Sequence, residues 1–133
     1  MKRLNLLFVF SAAIILAAFV SSCSKDDPTA PLPLPPPPTT AGSWTGTLTQ
    51  GSVSGPILLN LSQDIIQIKG SVTLGALTGS VSGKNLYPNV AFTCSVPGYE
   101  PFSFAGQLTS PRELTGLING SGFTNATASL TKN

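Results

Sequence analysis

The chain has 133 residues, a length that suggests a single domain, and only 9% of them are charged, with a net charge of +2 at pH 7. This weak charge excludes a nucleic-acid-binding surface, which needs a basic patch that neutralises several phosphates. There is no histidine, and the two cysteines are Cys23 and Cys94, so neither histidine-based acid–base catalysis nor a zinc site is expected.

Residues 1–22 have the pattern of a signal peptide. Lys2 and Arg3 precede an uncharged apolar stretch, 6–20, which is shorter than the about 20 apolar residues of a membrane-spanning helix. The small residues Ser21 and Ser22 follow, as at a cleavage site, and the next residue is Cys23.

The tetrapeptide Val20-Ser21-Ser22-Cys23 resembles the lipobox of bacterial lipoproteins. The resemblance implies that processing machinery removes the leader and acylates Cys23 on its sulfur and its new amino group, with fatty acids such as palmitate. Each buried CH₂ contributes about 0.8 kcal/mol, so three chains would anchor the protein effectively permanently. An ordinary signal peptide and an uncleaved signal anchor are the alternatives.

The residues after Cys23 are Ser24, Lys25, Asp26 and Asp27. Enterobacterial lipoproteins with Asp in the second mature position stay in the inner membrane, so Ser24 implies sorting to the cell outer membrane. The run is also similar to the export signal of Bacteroidetes surface lipoproteins. Periplasmic and outward-facing display therefore both stay open, and a merely solvated linker start is the third interpretation.

Residues 23–41 form a lipid-anchored, Pro-rich linker. Seven of the 12 prolines lie in 28–38, and proline removes backbone donors and fixes φ, so neither helix nor sheet is expected there. Polyproline II at ~3.1 Å per residue would extend residues 24–41 over up to ~55 Å as a semi-rigid stalk.

Residues 42–133 predict an all-β domain. Short runs alternate apolar and polar residues and are interrupted by Gly, Asn, Pro and Ser, which is typical of a sandwich or barrel. The eight predicted strands are 43–50, 56–63, 65–74, 76–82, 86–96, 101–109, 114–119 and 126–131. Turns are expected between them, including 63–64 and 83–85.

Every predicted connection is too short for a parallel crossover, so the strands must pair antiparallel and mostly in sequence order. Eight meandering strands with one apolar face can close into a small barrel, and closure removes exposed edges. We therefore expect a closed or nearly closed eight-stranded barrel, with a β-sandwich as the alternative.

The opening tripeptide of the domain, Gly42-Ser43-Trp44, resembles the Gly-x-Trp of lipocalin-like and avidin-like barrels. In lipocalins this Trp closes one barrel end under a basic side chain of the last strand. The resemblance implies that Lys132, near the end of the last strand, covers Trp44 as a cation–π contact, with structural roles for both residues.

The domain shows no constellation for catalysis. Asp64, Glu100 and Glu113 fall in turns or at strand ends, and Cys94 falls on an inward face without a base to activate it. We expect no enzyme activity, no metal and no cofactor.

Aromatic residues in or beside turns are the candidate ligand contacts: Tyr87, Tyr99, Phe102 and Phe123. Such residues at a barrel mouth suit a small hydrophobic or carbohydrate ligand, whereas simple packing over the barrel ends is the plainer interpretation. The expected function is thus a non-catalytic binding module on a lipoprotein. A protein-docking or enzyme-inhibitor lipoprotein of the cell envelope is the alternative.

Overall fold

The computed structural model describes residues 31–133, and Cys23, the predicted sorting residues 24–27 and the predicted signal peptide lie outside this range. Residues 31–41 carry no regular secondary structure. The eight strands that follow are β1 (Gly42–Gln50), β2 (Val53–Asp64), β3 (Gln67–Leu74), β4 (Leu77–Leu86), β5 (Asn89–Ser95), β6 (Phe102–Ser110), β7 (Glu113–Gly120) and β8 (Phe123–Lys132).

Each strand pairs antiparallel with the next, and β8 pairs with β1 to close the barrel. The closing ladder aligns Trp44 with Lys132 and Gly46 with Leu130. The prediction of an antiparallel eight-stranded barrel is confirmed. The alternative, a β-sandwich, is wrong. Closure leaves no unpaired strand edge between these eight strands.

The core occupies the barrel interior. Alternate residues point inward, and the inward side chains are almost all apolar, from Trp44 in β1 to Leu130 in β8. The rings of Phe92 and Phe104 stack at 4.6 Å between centroids. Side chains therefore fill the barrel interior, as expected for a small barrel.

Two inward glycines make room for this packing. A Cβ on either Gly106 or Gly116 would lie 2.6 Å from Cζ of Phe104, and each glycine also lies against the backbone of its neighbouring strand. Glycine at these positions thus lets the Phe104 ring lie directly on the sheet.

Two predicted turns are wrong. The turn expected at 63–64 lies at Ile65 and Ile66, because Gln63 continues β2 with an inward side chain. The turn expected at 83–85 lies at Tyr87 and Pro88, because β4 continues to Leu86. In both cases a polar residue that is typical of turns lies within the strand.

Candidate functional site

The barrel has two chemically different ends. We call the end where residues 36–41 lead into β1 the tether end; it also holds the turns 65–66, 87–88 and 111–112. The opposite end, with the turns 51–52, 75–76 and 121–122 and the loop 96–101, is the distal end.

A buried polar cluster fastens the chain before β1 to the tether end. Gln63 Oε1 accepts hydrogen bonds from the backbone N–H and Oγ1 of Thr40, both at 2.8 Å, and from Nδ2 of Asn85 at 3.0 Å. Asn85 Nδ2 also donates to the carbonyl of Pro38 at 3.2 Å. We call Thr40, Gln63 and Asn85 the connector clasp.

Thr40 is fully buried, although the sequence placed it in the linker. Its carbonyl accepts a 2.7 Å hydrogen bond from Nε1 of Trp44, itself fully buried. The end of the Pro-rich segment is therefore an integral part of the barrel end, because it satisfies buried polar groups that water cannot reach.

Lys132 lies over Trp44, with its ammonium 5.8 Å from the ring centroid. The same Nζ is 3.5 Å from the carbonyl of Thr39. The carbonyl of Lys132 accepts two hydrogen bonds from the Arg112 guanidinium, at 2.8 and 3.2 Å. The side chains of Lys132 and Arg112 thus both lie at the tether end, beside the end of β8.

One acceptor of the clasp is unsatisfied. Within residues 31–133, Oδ1 of Asn85 is buried and has no hydrogen-bond partner, and the side chain is only 4% exposed. Rotating the amide by 180° would instead point Oδ1 at two acceptors, Pro38 O and Gln63 Oε1. The amide orientation is therefore fixed by its two donor bonds.

The distal end carries exposed apolar side chains among polar ones and has almost no charge. Tyr99 and Val53 are 56% and 72% exposed. Among residues 31–133, Glu100 is the single charged residue at the distal end of the barrel. Phe123 is half-buried and meets Phe102 edge to face at 5.6 Å. The four aromatic candidates do not form one site, since Tyr87 lies at the tether end and Phe102 is buried in the core.

A shallow groove of about 510 Å³ crosses the outer wall over β4, β5 and β6. Its lining includes the small side chains of Ala91 and Ala105, and also Lys84 and Leu86, which lie toward the tether end of β4. Most of its lining residues face outward from the barrel, and the core residues Phe92 and Phe104 also line it.

The reactive groups of the described chain are dispersed. Asp64 and Glu113 lie at the tether end and Glu100 at the distal end. In residues 31–133 no three Cys, Asp or Glu side chains converge as a metal site would require. Burial raises the pKa of the Cys94 thiol to about 12, so the thiolate that a nucleophile needs is scarce at neutral pH.

Sequence reasoning missed Thr40, Gln63 and Asn85. A signal for two of them was present, because Gln63 follows the inward residues of β2 at period two, and Asn85 follows those of β4. A polar residue in an inward position at a strand end predicts a capping contact.

Comparisons with protein-family models, with curated proteins and with solved structures found no match to this chain. Among residues 31–133 there is no helix long and apolar enough to cross a membrane.

Proposed function

We propose that this chain is a lipoprotein of the cell outer membrane, anchored through acylated Cys23, whose barrel is a non-catalytic docking module. Its partner is a protein with an apolar patch of its own, held at the distal end. The observation that carries this proposal is the filled interior: the stacked rings of Phe92 and Phe104 occupy the space where a cavity-type carrier would hold a ligand.

The distal end supports docking from outside. It lies opposite the point where the connector joins the barrel, so an anchored molecule can present it to partners. Its exposed Val53 and Tyr99 and the half-buried Phe123 supply apolar and aromatic side chains of the kind that protein interfaces favour. Among the described residues at the distal end, Glu100 alone is charged. We therefore expect the contacting surface of the partner protein to be apolar and not strongly charged.

A second candidate function rests on the wall groove. Its volume falls within the range of small-ligand sites, and its mixed lining of Lys84, Asn89, Thr93 and alanines suits a small hydrophobic or carbohydrate ligand. In this case the ligand lies outside the barrel and not within it.

Site-specific photo-crosslinking in the producing cell separates the two candidates. A crosslinking side chain at Val53 or Tyr99 should give one discrete protein adduct, while the same side chain at Ala91 in the groove should give none. A protein adduct from Ala91 alone would contradict distal docking. A small molecule seen by native mass spectrometry, and lost on Ala91→Phe, would favour the groove instead.

A further inference from the structure

The tether end carries exposed apolar side chains on two adjacent turns. Ile65 is 86% exposed, Leu86 57%, Tyr87 51% and Ile66 38%. The two turns are neighbours, since the backbone N–H of Asn85 donates to the carbonyl of Ile66 at 2.8 Å. We call these four side chains the apolar tips; a cluster of this kind on an exposed edge marks an interaction surface.

The backbone at Ile65 gives a second reason to regard the tips as functional. Its φ is 53°, in the left-handed region, where a β-branched residue is a rare and strained choice. Gln63 of the connector clasp fixes this turn by donating from Nε2 to the carbonyl of Ile65 at 2.7 Å. The side chain of Ile65 is nonetheless almost wholly outside the barrel core, so core packing does not explain an isoleucine there.

Two lysines lie on β3 and β4, the strands that adjoin the two turns of the apolar tips. Lys84 precedes Leu86 by two residues on the same outward face of β4, and Lys69 lies on the neighbouring strand β3, with Asp64 as the nearby acid. Arg112 and Lys132 are at this same end, together with Glu113. Apolar tips, an interfacial tyrosine and flanking lysines are the combination that suits a lipid headgroup region.

The chain's own connectivity directs this end toward a bilayer. Pro38, Thr39 and Thr40 are hydrogen-bonded at the tether end. A lipid on Cys23 would therefore connect the membrane to this end of the barrel. A short flexible tether raises the effective concentration of this surface at the membrane to about millimolar, which populates even a weak lipid contact. The Pro-rich linker would span up to ~55 Å if it were straight, so the contact requires the linker to bend toward the bilayer.

We propose that the apolar tips are a membrane-contacting surface, which inserts into the headgroup region of the bilayer that holds the anchor, with Lys84 and Lys69 against lipid phosphates. This inference rests on the proposed lipid anchor. It deepens that proposal, because the barrel then has a defined orientation, with the distal end facing away from the membrane.

The test uses the full lipidated protein, purified from membranes and reconstituted into phosphatidylcholine vesicles with or without phosphatidylglycerol. An environment-sensitive fluorophore is attached to Tyr87→Cys or, as the matched control, to Tyr99→Cys, because the two tyrosines are similarly exposed at opposite ends. The vesicles contain lipids with a nitroxide quencher at the headgroup boundary. We expect quenching for the label at position 87 and little for the label at position 99.

Two further variants assign the contact. Ile65→Ser combined with Leu86→Ser should weaken the surface contact about tenfold or more, since most of the inserted apolar area is lost. Lys84→Gln should weaken it about fivefold on vesicles with phosphatidylglycerol and leave it unchanged on phosphatidylcholine alone. Both variants should remain acylated and sediment with vesicles.

Equal quenching at the two positions in acylated protein would refute the proposed contact between the apolar tips and the membrane. It would not contradict the proposed lipid anchor. Stronger quenching at position 99 would show the reverse orientation and refute the proposed contact as well. A purified protein without acyl groups on Cys23 would instead remove the anchor on which both proposals depend.

Discussion

Replacing Gln63 with leucine should destabilise the whole barrel, because this one side chain joins the connector to two strands. Its Oε1 is the acceptor for the backbone N–H and the hydroxyl of Thr40, both at 2.8 Å, and for Asn85 Nδ2. Asn85 retains the Pro38 carbonyl as a partner, but fully buried Thr40 retains none of those acceptors. Each buried donor left unsatisfied costs about 1–3 kcal/mol, and Thr40 loses the acceptor of two donors, so Gln63→Leu should lose roughly 2–6 kcal/mol of stability.

The loss is large against a total stability of about 5–15 kcal/mol, and it should lower the melting temperature by at least about 10 °C. Guanidinium unfolding of the chain from residue 24 onward measures it, followed by fluorescence of Trp44, the single tryptophan. The matched control is Gln67→Leu, an exposed position on β3, which should change stability by less than about 0.5 kcal/mol.

A shortened chain shows whether the connector is the cause. In a chain that begins at residue 42, Thr40 is absent, so Gln63→Leu should have a much smaller effect than in the longer chain. Equal unfolding midpoints for Gln63→Leu and Gln67→Leu in the longer chain would refute the account of the connector clasp.

Three other predictions concern the core and the tether end. Gly116→Ala should destabilise the barrel strongly, since its Cβ would overlap Phe104 Cζ, whereas Gly55→Ala meets open space and should be nearly neutral in the same unfolding assay. With a pKa of about 12, Cys94 should react with a maleimide at pH 8 about a thousandfold more slowly in the native protein than in guanidinium; similar rates would show an accessible thiol. Lys132→Met should lower the free energy of unfolding by about 0.5–1 kcal/mol, because the cation–π contact with Trp44 is lost. An unchanged unfolding midpoint would show that this contact does not stabilise the barrel.

The raised pKa of Cys94 also sets a pH dependence. The unfolded thiol ionises near its ordinary value of 9.0, while the folded one stays protonated to about 12. The folded state therefore binds the proton more tightly, and the contribution is complete below pH 9 and is lost progressively as the pH rises toward 12. Cys94→Ala should remove this part of the alkaline destabilisation.

Much of the barrel was predictable because its apolar pattern is simple. In β5, Val90, Phe92 and Cys94 alternate with exposed polar or small residues, so period two fixes both the strand and its inward face. The short connections then left only sequential antiparallel pairing, and eight such strands close.

The tether end was not predictable by the same argument. Gln63 and Asn85 look like turn residues from their neighbours, and their partners, Thr40 and Pro38, are 23 and 47 residues away in sequence. The turn at Ile65 also has an isoleucine where local conformational preference favours Gly or Asn. Tertiary contacts overrode local turn chemistry at Gln63 and Asn85, and the hydrogen bond from Gln63 to the Ile65 carbonyl then fixes the turn at Ile65.

The placement of the aromatic candidates shows a similar limit. Phe102 and Tyr99 are close in sequence, yet one ring is buried in the core and the other is exposed. Strand parity decides this difference, since Phe102 is the first inward residue of β6. Proximity to a turn alone therefore did not identify a ligand contact.

We propose that an acylated Cys23 holds the barrel on a membrane. Intact mass spectrometry of the protein extracted from the membranes of its producing cell tests this anchor. We expect a chain that lacks residues 1–22 and carries fatty acyl groups on Cys23. A chain that retains the leader, or one with a free Cys23 thiol, would contradict it.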